Sequence, residues 1–147
     1  LAADEIDKTG LDVRPFVEDR VALAVPDGHR LLAKEVVRPA DLADEAFIAL
    51  APEDTARREA ELALAEAGVS IRTIIETPYS TTICAMVAAG LGIGFVDPRT
   101  AEPYLGRGVS LRRYEPAIHF RTLLILPPNR PPSALLQEFI GDLEKAA

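Results

Sequence analysis

Tryptophan is absent from this sequence, cysteine occurs once and histidine twice. A single thiol, Cys84, closes no internal disulfide and makes no metal site by itself. It lies in the apolar run 83–89, where a small buried hydrophobe is expected. His29 and His119 are the only imidazoles, and no G-x-S-x-G, H-E-x-x-H, C-x-x-C or Walker-type loop occurs. A catalytic centre, a metal site and a cofactor are therefore not expected, and the chain does not read as an enzyme. His29, in PDGHRLL, reads as a turn or helix-start residue. Aromatics make up only 5% of the chain, so the core is expected to rest on Leu, Ile, Val and Ala.

Long apolar runs are missing too. No stretch approaches the roughly 18–20 residues of a membrane span. The opening LAADEIDKTG has no basic region followed by an apolar core, so it is not read as a signal peptide. No membrane partner and a cytoplasmic location are expected. Basic clusters are scarce as well: Arg57–Arg58 and Arg112–Arg113 come nearest, and both read as surface charge. The net charge is −7. Gripping duplex DNA needs clustered Lys and Arg to neutralise phosphates and release counterions, so these residues are not expected to bind it.

What is present is a well-patterned core. With 48% hydrophobic and 27% charged residues, 147 residues suffice for one ordinary domain or two small lobes. RVALAV (20–25) reads as a strand stopped by the turn Pro26-Asp27-Gly28, and FIAL (47–50) as a short buried strand. Ala56, Ala60, Ala63, Leu64 and Ala67 then mark one helix face, with Asp54 or Thr55 as its cap and Gly68 at its end. RTIIE (72–76) is the next strand. Ser80 or Thr81 is expected to cap a largely buried helix that runs to Ala89 and ends at Gly90.

GIGFV (92–96) reads as a strand whose glycines signal close backbone approach. VSLRR (109–113) and RTLLILP (121–127) are further strands, separated from a last helix by a stiff turn bracketed by Pro127, Pro128, Pro131 and Pro132. That helix starts at Ser133 with Leu135, Leu136, Phe139, Ile140 and Leu143 on one face. This alternation predicts α/β architecture with mainly parallel strands. The glycines of GLGIG (90–94) lie between a helix and a strand. A dinucleotide loop needs the opposite order, so they read as a helix end and tight packing.

The hydroxyl-rich segment Thr77-Pro78-Tyr79-Ser80-Thr81-Thr82 follows a strand and opens a helix. Ligands of open α/β sheets lie beyond the carboxyl ends of strands, and free N–H groups at a helix start favour a carboxylate or other anion. Thr77, Tyr79, Ser80, Thr81 and Thr82 are the candidate ligand contacts. Two further strand-end loops, 51–55 and 97–100, face the same way. Capping and turn formation explain their polar residues, and Asp97 joins the candidate set.

Three stretches carry a family resemblance. DRVALAVPDGHRLL (19–32) with RPADLADEAFIAL (38–50), then IETPYSTTICAMVAAGLGIGFVDPRTAEPYL (75–105), then TLLILPPNRPPSALLQEFIGDL (122–143) resemble, in order, the effector half of LysR-type transcriptional regulators. The resemblance implies a periplasmic-binding-protein-like type II fold, with two α/β subdomains joined by crossover strands and the first of them incomplete here. Residues 1–20 would be a remnant of subdomain I and a crossover, 21–115 subdomain II, and 116–147 the return crossover strand and C-terminal helix of subdomain I. It further implies a small-molecule effector, carboxylate-bearing on the reading above, held in an inter-subdomain cleft. A homo-oligomer, dimer or tetramer, and DNA contact only through an N-terminal winged helix-turn-helix outside these residues are implied too. The alternative is a solute-binding protein, or a fragment of one, that delivers a small molecule to a transporter.

Overall fold

The computed structural model describes residues 9–128 and 131–146. Two compact units emerge: Leu1–Glu18 with Arg121–Ala147, and Asp19–Phe120. Strand β1 (Asp12–Arg20) pairs with the Leu-rich strand His119–Leu126, and a helix over Ala134–Ala146 follows. Arg121 reaches Glu18 across this pair at 3.3 Å. The Ser133 hydroxyl accepts the Leu136 N–H at 3.3 Å, the capping bond its sequence position predicts. The expected apolar face of that helix is only partly covered. Ile140 is buried, whereas Leu135 and Phe139 are 77% and 57% exposed. Of the proline-bracketed turn, residues 129–130 lie outside the described residues.

The larger unit is a three-layer α/β sandwich. Its strands are β2 (Ala22–Pro26), β3 (Val36–Val37), β4 (Ala46–Leu50), β5 (Arg72–Thr77), β6 (Gly94–Val96) and β7 (Val109–Tyr114), and the terminal strand above is β8. Its helices are α1 (Thr55–Glu66), α2 (Ser80–Ala88) and the single turn α3 (Pro98–Ala101), and the terminal helix above is α4. Strands run in the order β3-β7-β2-β6, with β4-β5 alongside. A parallel bridge joins Phe47 to Ile93, with the Ile48 N–H donating to the Ile93 carbonyl at 2.8 Å.

The expectation of mainly parallel strands holds for β3 to β7, which run the same way, and fails at β2. β4–β5 and β3–β7 are parallel, but β2 is antiparallel to both neighbours, β6 and β7. A strand buried on both faces reads as the same apolar run in either direction, so composition could not reveal this. Side chains alternate accordingly. Leu23, Val25, Phe47, Ala49 and Phe95 join Ala56, Ala60 and Leu64 of α1 in one core. Ala24, Ile48 and Val96 join Ile83, Cys84 and Val87 of α2 in the other.

The first core is less aliphatic than composition led one to expect. Phe95 stands edge-on to Phe47 at 5.2 Å and to Tyr114 at 4.7 Å between ring centroids, a favourable quadrupole arrangement. Both main helices end as the glycines predict. The Gly68 and Gly90 N–H groups bond Ala65 and Val87 carbonyls, while those of Val69 and Leu91 reach back to Leu64 and Met86. That is the paired Schellman pattern, with positive φ at each glycine. Two arginines read as surface charge are instead drawn inward: Arg57 has a side chain only 13% exposed, and Arg112 donates to the Leu32 and Leu111 carbonyls. Their long stems cover apolar surface while the guanidinium finds fixed acceptors.

Candidate functional site

Register places several strand ends at one edge of the larger unit. Leu50 is opposite Thr77, and Ala22 is opposite both Val96 and Arg113. The carboxyl ends of β4, β5, β6 and β7 therefore lie on the same side, where α/β ligands bind. This edge carries the segments 51–55, 77–82 and 97–100.

Two glycines let α2 lie close against the sheet. A methyl group at Gly94 would stand 2.6 Å from both the Ile48 carbonyl oxygen and Ile83 Cγ2, and one at Gly108 would meet Ala88 at 3.0 Å. Only hydrogen at these positions lets the helix lie this close to the sheet. On the helix Ile83, Cys84 and Val87 are buried, but Thr81, Ala85 and Ala89 are exposed, so α2 is half-buried and not sequestered as its composition suggested.

The start of α2 also differs from the sequence reading. Tyr79 is the N-cap and makes no side-chain capping bond, while Ser80 is the first helical residue. Neither Ser80 nor Thr81 caps the helix. The Tyr79 carbonyl accepts from the Thr82 and Ile83 amides at 3.0 and 3.2 Å, and Thr77 Oγ1 accepts the Tyr79 N–H at 3.4 Å. Among the described residues the amides of Ser80 and Thr81 have no hydrogen-bond partner. They are the orphan donors every helix start leaves, here flanked by hydroxyls. Thr77 is buried, Ser80 and Thr82 are partly buried, and Tyr79 is 65% exposed.

Asp97 shares this edge, but its carboxylate is committed. It N-caps α3, accepting from the Arg99 amide at 2.9 Å and the Thr100 hydroxyl at 2.8 Å. Arg99 in turn meets Asp19 at 3.0 Å. Asp54 likewise caps α1 by accepting the Arg57 amide at 3.1 Å. Capping thus accounts for both flanking loops, as expected. His29 is a capping residue too: its Nδ1 accepts the Leu31 N–H, and its Nε2 lies 3.4 Å from Glu45.

A competing pocket opens between α1 and the sheet, about 300 Å³ with its solvent-open part. Phe47, Ala49, Leu50, Ala60, Ile71 and Phe95 line it. Among the described residues its only charged groups, Arg57 and Glu61, already pair with each other at 2.8 Å. Nothing there matches an anion.

Cys84 lies on the buried face of α2. Burial first, and then the charge of Asp97, pushes its thiol up to about 11. Iodoacetamide at pH 8 should leave Cys84 unmodified in the folded chain and label it only after denaturation, because the thiolate is the nucleophile. Stoichiometric labelling of the folded chain would contradict this burial. The linked effect on stability has a definite sign. The unfolded thiol ionises first, so the folded state holds more protons between about pH 9 and 11 and loses stability as pH rises through that window.

Sequence reasoning missed Arg57. Its guanidinium joins the last carbonyl of β4 to Glu76 of β5, and only the Glu61 partner, four residues on in the same helix, was visible in sequence. Among the described residues no cluster of His, Cys, Asp and Glu could hold a metal ion, and no helix is long and apolar enough to cross a membrane.

The model of the LysR substrate binding domain matches residues 1–147. The regulatory protein NocR of Agrobacterium tumefaciens (strain T37) is 35% identical over 133 residues, covering 90% of this chain and 44% of that protein. The transcriptional activator protein LysR of Escherichia coli is 41% identical over 120 residues, covering 82% of this chain and 39% of that protein. The chain thus spans less than half the length of these relatives. Among solved structures, the Synechocystis PCC6803 CcmR regulatory domain in complex with 2-PG has a TM-score of 0.75 at 20% identity, covering 97% of this chain and 68% of that one. The fold is the periplasmic-binding-protein-like type II fold of such regulatory domains. This chain belongs to the LysR substrate-binding-domain family.

Proposed function

We propose that this chain is the effector-sensing part of a LysR-type DNA-binding transcriptional regulator and takes a small carboxylate at the start of α2. One observation carries the reading of the site. Two unpartnered backbone amides, Ser80 and Thr81, lie at the carboxyl edge of the sheet amid the hydroxyls of Thr77, Ser80, Thr81 and Thr82. Such donors satisfy a carboxylate without a formal positive charge, aided by the helix dipole. The 2-PG complex of the CcmR regulatory domain supports a small ligand on this fold. Tyr79, exposed beside the amides, offers an aromatic face to the rest of the effector. Asp97 belongs to the site as a rim residue whose charge disfavours a second anion.

The subdomain assignment is part of the same reading: 1–20 and 116–147 to one subdomain, 21–115 to the other. The compact units support it, with bounds that differ by a few residues. Only an effector with different affinity for two arrangements of the regulator shifts their balance. DNA contact belongs to a winged helix-turn-helix beyond these residues, and the assembly is a homo-oligomer in the cytoplasm. The named relatives are regulators, which favours this reading over a transporter component and over an enzyme.

The test is the double substitution Ser80→Ala and Thr81→Ala in the full-length regulator. Losing hydroxyl contacts worth about 1.4 kcal/mol in total would move half-maximal induction to roughly tenfold higher effector concentration. Basal promoter binding should be unchanged. Because neither hydroxyl caps α2, stability should stay within about 0.5 kcal/mol, so the functional loss cannot be ascribed to unfolding. Wild-type induction by a stable double variant would place the site elsewhere.

A further inference from the structure

We infer that Arg57 is the positioning residue of the Thr77–Thr82 loop, a latch that fixes where the two unpartnered amides stand. Among the described residues β5 pairs only with β4, so the loop it delivers hangs from an edge strand. The register between the two strands also slips at Phe47/Ile48, just before the pairs that reach the edge. An edge strand with one irregular ladder holds its last residues weakly unless something else grips them.

Arg57 supplies that grip. One nitrogen, Nη1, lies 2.7 Å from the Leu50 carbonyl and 2.7 Å from Glu76 Oε1. Leu50 ends β4, and Glu76 immediately precedes Thr77. The same guanidinium is held from behind by Glu61 at 2.8 Å, and its backbone amide is capped by Asp54. A planar fork anchored at one end by its own helix loses little freedom in binding the other two acceptors, which an ammonium could not reproduce. Burial alone would lower the affinity of this group for its proton, yet the bonds to Glu61 and Glu76 outweigh it, so the cation is kept. Arg57 touches no ligand in this account. It acts through Glu76, one residue before the first hydroxyl of the site.

The consequence for function rests on the reading of 77–82 as ligand-facing, but the test does not. Amide hydrogen exchange is measured by NMR on the 147-residue chain without ligand, for the native sequence, Arg57→Lys and Glu76→Ala. Lysine keeps the charge but loses the fork, and Glu76→Ala cuts the latch to β5 while leaving α1 and its cap intact. Both variants should accelerate exchange at the Tyr79, Thr82 and Ile83 amides at least tenfold. The Val69 amide that closes α1 and the Leu23 and Ala24 amides of β2 should stay within about twofold of the native chain. If Arg57→Lys fails to fold, Glu76→Ala decides alone.

A folded variant of either kind with native exchange at Tyr79–Ile83, or with uniform acceleration at every amide, overturns the latch. Separate readouts keep the two ideas apart. Loop exchange that responds while induction by the Ser80 and Thr81 double variant stays normal would retain the latch and reject the site.

Discussion

Gly94→Ala should lower stability by about 3 kcal/mol, at the upper end of what overpacking a close-packed interior costs. The added carbon would stand 2.6 Å from a backbone oxygen of β4 on one side and 2.6 Å from Ile83 of α2 on the other. A flexible side-chain tip could move aside, but Ile83 is fully buried and the Ile48 backbone is hydrogen-bonded to Ile93. Relief therefore requires either β4 to leave β6 or α2 to rise from the sheet. For a chain of this size such a loss corresponds to a fall in Tm of roughly 10 °C. The Gly94→Ala chain should also show a displaced α2 start, since the helix moves as a body. A variant with native Tm would show that the sheet and α2 are not as tightly apposed as described.

Phe95→Ala should cost about 3–5 kcal/mol, the usual range for deleting a buried aromatic ring. Phe95 is 5% exposed and is the middle member of the Phe47–Phe95–Tyr114 series. Its removal leaves a cavity beside an existing pocket and strips both neighbours of their edge-to-face partner. Tyr114 responds separately, because burial already pushes its phenol up to about 12. Opening the core beside it should bring that value back toward 10, which absorbance titration of the phenol would register. Chemical denaturation that gives a loss below about 1 kcal/mol would contradict the central place of Phe95 in this core.

Much of the fold could be read from local pattern, for physical reasons that particular residues make plain. The Ala56, Ala60 and Leu64 spacing encodes a helix face, and Gly68 and Gly90 mark the left-handed residues that close two helices. Glycines at 92 and 94 announced close approach, and both indeed face backbone carbonyls of β4. What stayed hidden depends on tertiary partners. Strand direction at β2 leaves no mark on an apolar run. Arg57 and Glu76 are nineteen residues apart, so their pairing exists only once β4 and β5 lie side by side. The aromatic series draws one ring from each of three strands, which composition at 5% concealed.

The candidate site shows the same division. Its location after β5 was legible from the strand–hydroxyl–helix order. Its capping was not, because Ser and Thr are so often N-caps that a tyrosine in that place runs against propensity. The correction sharpens the functional reading. Hydroxyls free of capping duty, next to unpartnered amides, are available to a ligand.

The most direct measurement is a crystal structure of the full-length protein with a carboxylic acid to which the proposed regulator responds. A carboxylate oxygen is expected within about 3 Å of the Ser80 or Thr81 backbone nitrogen, with at least one hydroxyl of Thr77, Ser80, Thr81 or Thr82 completing its hydrogen bonds. An inducer whose carboxylate is held elsewhere, with the Ser80 and Thr81 amides left to solvent, would contradict it.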